Sequence, residues 1–282
     1  MAQRKVTLRA QWLGKLLKEL REQNAMTLKE ASEYLGRDAP ALSRFESGVH
    51  PIRRGDVYAL MDLYGVEDKT QRDILLQLTG EVAKTGWWEK YSHDLSGGII
   101  DYVWLENRAE RLWTFDVTPV HGLLQTAAYA EAWLRAVRPT ATTKQVNRWV
   151  EMRLRRQEIL TRDEPAHLTA LMDEAVLRRP VGQRQVMKDQ LHHLLDQAQR
   201  PNIDLHVLPF ASGEHSSPDG GFALIKMSDP FPTIAHAAGP AGTLYVETDD
   251  AEQLVSVYDR LRQASLSTED TITLIASIEK EL

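Results

Sequence analysis

The chain contains no cysteine, which excludes disulfide bonds, thiolate nucleophiles and cysteine-ligated metal centres. It also lacks long apolar runs, and no stretch approaches the 18 or more apolar residues of a membrane-spanning helix. The first fifteen residues, MAQRKVTLRAQWLGK, hold no apolar core of the kind that a signal peptide requires. From these absences we expect a cytoplasmic protein that does not enter a membrane.

An overall excess of positive charge is lacking too, but the charge is distributed unevenly. The 34 basic and 40 acidic side chains give a net charge of −6. Residues 1–60 carry 11 lysines or arginines and 7 aspartates or glutamates, a balance of +4, so the remaining residues sum to −10. A basic segment in an acidic chain predicts that one end of the protein contacts phosphate groups.

Residues 26–48, MTLKEASEYLGRDAPALSRFESG, have the pattern of two short helices joined by a tight turn. Thr27 and Glu30 have the spacing of a capping box at the start of the first helix. Gly36 suits the end of that helix, and Asp38 is a good N-cap for the second. Such a pair can place its second helix in the major groove of DNA, and a plain helical hairpin is the alternative.

The hydrophobic pattern as a whole predicts a multidomain protein. We assign residues 1–66 to an all-α, repressor-like helix-turn-helix domain, because apolar helices flank the pair on both sides. Residues 67–86 form a linker helix, and residues 87–282 an α+β domain with a mixed sheet of about four or five strands. Its predicted strands lie near residues 111–117, 167–172, 204–208, 221–227 and 242–247, and a Pro/Gly-rich loop joins the last two. The order strand, helix, strand over 167–208 indicates a parallel pair with a crossover helix.

The candidate DNA contacts lie on and around the second helix of the pair. They are Thr27, Lys29, Arg37, Ala39, Ala41, Ser43, Arg44, Ser47, Arg53 and Arg54. Arg44 is the strongest candidate, because an exposed guanidinium can grip guanine in a bidentate manner, although an ion pair with Glu46 or Glu33 is the alternative. We expect Glu46 instead to stabilise the domain by pairing with a basic residue such as Arg21. A charge of +4 is modest, so we expect a homodimer on two-fold symmetric double-stranded DNA.

The remaining 200 residues carry weaker signals of chemistry. Asp173, Glu174 and His215 are the only plausible catalytic side chains, and the sequence has no phosphate-binding loop, nucleophile elbow or metal-ligand histidine spacing. We therefore expect no enzyme activity, cofactor or metal. The aromatic segment 87–133 is interpreted as core or as the lining of a ligand pocket. The arginines of one predicted helix, Arg148, Arg153, Arg155 and Arg156, are interpreted as a solvated face that could also bind an acid.

Seven segments give the chain a family resemblance. They are LSRFESG (42–48), GWWEKY (86–91), YVWLENRAERLWTF (102–115), GLLQTAAYAEAWL (122–134), DEAVLRRPVG (173–182), RPNIDLHVLPF (200–210) and LYVETDD (244–250). Through them the chain resembles Xre-type helix-turn-helix regulators with a C-terminal domain of unknown function, found in filamentous high-GC bacteria. WhiJ-like developmental regulators and antitoxin-like regulators encoded beside a small protein belong to this group.

The resemblance implies transcriptional control by DNA binding, with a C-terminal domain that receives a small partner protein. It implies no catalytic residues. The alternative is a one-component regulator whose C-terminal domain senses a small molecule. One departure concerns Val120-His121-Gly122, where the family usually has Val-Pro-Gly, so we expect this turn to be built differently.

Overall fold

The structure, a computed structural model, describes residues 6–84, 86–93, 97–228, 231–239, 242–246 and 249–282. Arg4 and Lys5, which contribute to the basic segment, and Glu247, at the end of a predicted strand, lie outside these ranges. The chain divides into two compact units, residues 1–101 and 102–282. This division falls later in the chain than the predicted linker at residues 67–86.

The first unit is helical, as the sequence predicts. Its helices are α1 (Leu8–Gln23), α2 (Leu28–Tyr34), α3 (Ala39–Glu46), α4 (Arg54–Leu63) and α5 (Lys69–Ala83), followed by the 3-10 helix Trp87–Tyr91 and the start of α6 (Gly97–Asn107). Leu17, Leu42, Leu60 and Leu75 are fully buried between these helices. A small apolar core therefore holds α2 and α3 in place.

The helix pair has the caps that its sequence predicts. Thr27 accepts the Glu30 backbone N–H at 3.2 Å, and the Glu30 carboxylate accepts the Thr27 backbone N–H at 2.8 Å. Asp38 accepts the Ala41 backbone N–H at 2.7 Å, which caps α3. Gly36, between the helices, has a φ of +62°, a conformation that glycine adopts without strain. The capping box and the turn are thus confirmed.

Two glycines bring α3 unusually close to α1. A Cβ at Gly14 would lie 2.3 Å from the carbonyl oxygen of Glu46, and a Cβ at Gly48 would lie 2.7 Å from the backbone of Ala10. Real Cβ atoms do not approach backbone atoms this closely, so both positions require glycine. This backbone contact fixes the position of α3 relative to α1.

The second unit is an α+β domain with a mixed sheet. Its strands are β1 (Ala109–Asp116), β2 (His167–Asp173), β3 (Ile203–Leu208), β4 (Phe222–Met227), β5 (Ile234–Gly239) and β6 (Gly242–Val246). Its helices, after the end of α6, are α7 (Ala127–Val137), α8 (Thr143–Arg156), α9 (Glu174–Arg178), α10 (Arg184–Gln197), α11 (Asp249–Ala264) and α12 (Thr268–Glu281), with 3-10 helices at Gly122–Leu124, Gln157–Leu160 and Phe210–Ser212.

The strand order β3-β2-β1-β4-β5-β6 places the parallel and antiparallel parts side by side. Strands β1, β2 and β3 are parallel, and α10 is the predicted crossover between β2 and β3. Strands β4, β5 and β6 are antiparallel, and β4 pairs with β1. Helix α11 packs on this sheet through Tyr258 and Leu261, against Phe115, Phe222 and Leu224.

The prediction of four or five strands is wrong, since the described residues form six. The missed strand is β5, which the sequence suggests to be part of a loop. Its residues IAHAAG are mainly alanine and glycine, which have low strand propensity. Ladders to β4 on one side and β6 on the other hold them in the sheet despite that composition.

Candidate nucleic-acid interface and a polar cavity

The predicted DNA contacts lie mainly on the outside of the first unit. Seven of the ten side chains are exposed: Thr27, Lys29, Ser43, Arg44, Ser47, Arg53 and Arg54. Arg37, Ala39 and Ala41 are half-buried. The structure therefore leaves most of the predicted contact residues exposed on the surface of the first unit.

Arg44 is exposed and forms neither of the ion pairs considered as alternatives. Glu46 pairs with Arg21, and Glu33 lies 3.9 Å from the Lys29 ammonium. Within the described ranges, no carboxylate is within ion-pair distance of the Arg44 guanidinium. Its charge is available to a ligand.

Two other candidate arginines are positioned by neighbours. The Arg37 guanidinium donates to the Asp56 carboxylate at 2.9 Å, so this residue ties the turn to α4. The Arg54 guanidinium lies 5.7 Å from the centroid of the Tyr58 ring, one turn further along α4. The Arg54 Nη2 also donates to the Tyr58 hydroxyl at 3.4 Å, so Tyr58 restrains the guanidinium while its other N–H groups face solvent.

The expected pairing of Glu46 with Arg21 is confirmed. The Arg21 guanidinium donates from Nε to Glu46 Oε1 at 2.7 Å and from Nη2 to Oε2 at 2.9 Å. Arg21 also donates to the Met26 carbonyl at 2.8 Å, in the connection between α1 and α2. Both side chains are buried, and the bond to Glu46 raises the pKa of Arg21. This pair links the end of α3 to α1.

The second unit contains a polar cavity of about 320 Å³. It lies at the C-terminal end of β1, and its lining comes from α6, β1, α8, β4, β5 and the segment between β1 and α7. Gly221 lets the chain before β4 approach β1, since a Cβ there would lie 2.5 Å from the Phe115 carbonyl oxygen. Residues of the aromatic segment 87–133 line part of this cavity, but none of the tryptophans of that segment does.

One wall of the cavity is a buried ion pair on an aromatic ring. The Arg156 guanidinium donates to both oxygens of Glu106, at 2.6 and 2.7 Å, and lies 5.3 Å from the Tyr102 ring centroid. Arg156 is 7% exposed and Glu106 1% exposed. The interpretation of the arginine cluster as a solvated face is therefore wrong for Arg156. The glycine at 122 leaves room for this guanidinium, 3.2 Å from where a Cβ would lie.

Two histidines of the cavity are neutral at pH 7. Burial lowers the pKa of His121 to about 3 and that of His236 to about 4. His121 Nδ1 accepts the Leu123 backbone N–H at 3.4 Å, so its proton is on Nε2, which lies 3.3 Å from the Tyr102 hydroxyl oxygen. The His236 ring packs on Tyr102 with centroids 4.3 Å apart. His121 thus accepts a backbone N–H within the turn that its own sequence forms.

Arg153 is the second guanidinium of the cavity, and it lacks a carboxylate partner among the described residues. Its Nη1 donates to Gln125 Oε1 at 2.7 Å, and Gln125 in turn donates to the Val120 carbonyl at 2.6 Å. Burial, together with the nearby Arg156 charge, lowers the pKa of Arg153 to about 10, so it is still charged at pH 7. Arg153 and Arg156 are three residues apart and so share one face of α8.

Asp116 is the acidic member of the cavity. Its carboxylate accepts the Thr114 hydroxyl at 2.8 Å, and burial raises its pKa to about 7. A carboxyl group whose pKa rises on folding holds a proton in the folded state that the unfolded chain releases. Between about pH 4 and pH 7 this group therefore makes the folded state less stable as the pH rises.

We expect Asp116→Asn to raise the free energy of unfolding at pH 8 by roughly 1–3 kcal/mol, because asparagine keeps the bond to Thr114 without a buried charge. The difference between variant and wild type should grow from pH 4 to pH 7 and be constant above that, as measured by urea denaturation at each pH.

Other titrating groups contribute equally to the free energies of unfolding of wild type and variant, so they do not affect the difference between the two. They include His121, His236 and Asp101, whose pKa burial raises to about 6. A difference that does not change with pH would contradict the assignment of the raised pKa to Asp116.

The side chains considered for catalysis are engaged in local structure. Asp173 caps α9 by accepting the Ala175 backbone N–H at 2.8 Å. Glu174 accepts from the Arg178 guanidinium at 2.5 Å and from the Phe210 backbone N–H at 2.8 Å. The His215 ring packs edge-on against Phe115, and its Nδ1 accepts the Ser217 backbone N–H at 3.2 Å. These contacts give each residue a structural role.

Among the residues that the structure describes, no group of three acidic or histidine side chains is arranged to hold a metal ion. In the same ranges, every helix falls short of the length and apolar character that crossing a membrane requires.

Comparison with protein families identifies both parts of the chain. A family described as "Helix-turn-helix domain" matches residues 12–75. A family described as "Domain of unknown function (DUF5753)" matches residues 99–277. Neither the curated proteins nor the solved structures contain a match. The helix-turn-helix match includes α2 and α3 and the exposed face around Arg44, and the other match includes every residue that lines the cavity.

Proposed function

Because the chain belongs to the DUF5753 family and carries a helix-turn-helix domain, we propose that it is a transcriptional regulator that binds operator DNA through α3. The observation that carries this proposal is the capped α2–α3 pair, whose outer face presents the unpaired Arg44 guanidinium with small neighbours such as Ala41 and Ser43. Small side chains permit close approach to base edges, and the guanidinium can donate to guanine. The protein acts by binding rather than by catalysis.

The test is a titration of the chain against duplex DNA from the region upstream of its own gene, at several salt concentrations. Specific binding predicts an affinity at least a thousandfold above that for scrambled DNA, and a steep loss of affinity with salt. Equal affinity for both duplexes would overturn the proposal.

The regulator acts as a homodimer. One copy contributes a basic segment of only +4, and two copies on a two-fold operator double the phosphate contacts. A footprint should then show two half-sites whose centres are about 10 base pairs, or a multiple of that, apart. A single half-site bound by a monomer would exclude this arrangement.

A partner that binds the second unit controls when the regulator binds DNA. The resemblance to Xre-type, WhiJ-like and antitoxin-like regulators supports a small protein encoded next to this gene. Co-expression with the product of an adjacent short reading frame, followed by size-exclusion chromatography with light scattering, tests for a stoichiometric complex. The second candidate signal is a small molecule, and the polar cavity favours it.

We expect Arg54→Ala to weaken binding to specific and scrambled DNA by the same factor and to reduce the slope of log K against log salt by about 1, because Arg54 contacts the phosphate backbone. Tyr58 holds the guanidinium in place, so little ordering is required when DNA binds. The measurement is fluorescence anisotropy on both duplexes from low to high salt.

The control for Arg54→Ala is Arg72→Lys, a change within unit 1 that keeps the charge of a residue bound to Asp62. A loss limited to the specific duplex would instead assign Arg54 to a base contact.

A further inference from the structure

We propose that the polar cavity of the second unit binds a small organic monocarboxylate, whose anionic group pairs with Arg153. This inference deepens the proposed function by giving the chemical class of a small-molecule signal. Three features of the cavity support it: its charges, the hydrogen-bond donors that face it and its size.

The cavity has one guanidinium, Arg153, without a bound carboxylate, and Asp116, whose pKa burial raises to about 7, offsets its charge only in part at pH 7. The Arg156 charge is cancelled by Glu106, to which it is bound through two hydrogen bonds. His121 and His236 are neutral at pH 7 because burial lowers both pKa values. Arg153 has only the Gln125 amide oxygen as a hydrogen-bond acceptor among the described residues. Arg153 is half-buried, and an anionic ligand that pairs with this partly desolvated guanidinium would offset its desolvation cost.

The ligand has a single negative charge. The site offers one guanidinium without a bound carboxylate, while Asp116 in the cavity lining would repel a second negative charge when it is ionised. A carboxylate matches the planar fork of arginine and carries one charge, whereas a phosphate monoester carries nearly two near neutral pH.

A second donor faces the same space. Since His121 carries its proton on Nε2, that proton is directed to the Tyr102 hydroxyl oxygen at 3.3 Å. The Tyr102 hydroxyl proton is then available, because the described residues offer it no acceptor. Tyr102 is 9% exposed, so an acceptor for this proton has to come from a molecule within the cavity.

The cavity also has room and apolar walls for the body of the ligand. Its volume of about 320 Å³ is at the small end of ligand pockets, and Phe115, Val117, Pro119 and Phe222 contribute apolar surface. A ring-sized hydrocarbon with one carboxylate fits these dimensions.

The test uses benzoate, phenylacetate and salicylate, each compared with its neutral amide, and the full-length protein without DNA. Binding is measured by saturation-transfer NMR up to about 10 mM, a range that detects weak fragment-sized ligands. We expect at least one carboxylate to bind and its amide to bind at least roughly tenfold more weakly. Failure of all three carboxylates to bind would overturn the proposal.

The variant Arg153→Gln should weaken carboxylate binding at least roughly tenfold, while Arg155→Gln, the same change on α8 outside the cavity lining, should leave it unchanged. Equal binding to wild type and Arg153→Gln would contradict the assignment. If Arg153→Gln does not fold, as judged by circular dichroism, Ala238→Leu provides the second test. Ala238 lies at the exposed end of β5, where a larger side chain fills the cavity and should block binding.

The two proposals can fail separately. The ligand measurement contains no DNA, so a negative result leaves operator binding intact. A chain that binds no operator can still bind benzoate, which would keep the cavity as a ligand site and reject the regulatory role.

Discussion

Replacing Arg44 by alanine is expected to weaken binding to operator DNA by roughly ten- to a hundredfold, because a bidentate contact to guanine contributes about 1–3 kcal/mol. The structure leaves this guanidinium exposed on α3, while the two carboxylates that could have paired with it are held by other residues. No intramolecular bond has to break before Arg44 contacts a base. The effect should therefore appear in full as lost affinity.

The measurement compares the Kd for the operator with the Kd for a scrambled duplex. A base contact predicts a large loss of affinity for the operator and a small loss for scrambled DNA, so the ratio of the scrambled Kd to the operator Kd falls. Arg54→Ala should instead leave the ratio unchanged, and the two variants together separate base contacts from phosphate contacts.

Lys18→Ala is the matched control for the removal of one charge. Lys18 lies on α1 with its side chain 54% exposed and outside the predicted contact set. The variant Lys18→Ala should change the affinity for operator DNA by no more than about twofold, because only the overall electrostatic field of the domain is altered. If Arg44→Ala and Lys18→Ala have the same effect, Arg44 is not the reading residue, and specificity depends on DNA shape or on other side chains.

The features that the sequence predicts well are local. Thr27 and Glu30 are three residues apart, and Asp38 caps the helix that follows it, so their interactions depend only on the spacing along the chain. The fold of the first unit, the parallel β2–β3 pair and the mixed sheet follow from such patterns. The sequence also predicts the pairing of Glu46 with Arg21, because a carboxylate that faces a helical core requires a cation.

The cavity depends on contacts between distant residues. Glu106 and Arg156 are 50 residues apart, and Tyr102 meets His121 only when α6 and the segment after β1 are folded together. The spacing of Arg153 and Arg156 did carry a signal, since arginines three apart share one helix face and can be buried together. The sequence alone did not distinguish that arrangement from a solvated face, because the partners of both arginines lie in other elements.

Replacing Glu46 by glutamine is expected to destabilise the helix-turn-helix domain by about 3 kcal/mol, because it leaves the buried Arg21 charge without its carboxylate. Glutamine has the size of glutamate, so packing is preserved and the loss reports the charge. Hydrogen–deuterium exchange mass spectrometry measures this loss of stability. Peptides from α1–α4 should exchange roughly a hundredfold faster in the variant than in wild type. Glu33→Gln, on an exposed residue 3.9 Å from Lys29, is the control and should cost less than about 0.5 kcal/mol.

The double variant Arg21→Met/Glu46→Gln distinguishes a charge effect from a packing effect. Methionine replaces the Arg21 guanidinium, which in Glu46→Gln is buried without a carboxylate partner. The double variant should therefore be more stable than Glu46→Gln although it carries one more substitution. It also loses the bond from Arg21 to the Met26 carbonyl, and recovery should therefore be partial. A double variant less stable than Glu46→Gln would show that the other contacts of Arg21, such as its bond to the Met26 carbonyl, stabilise the domain more than its pairing with Glu46 does.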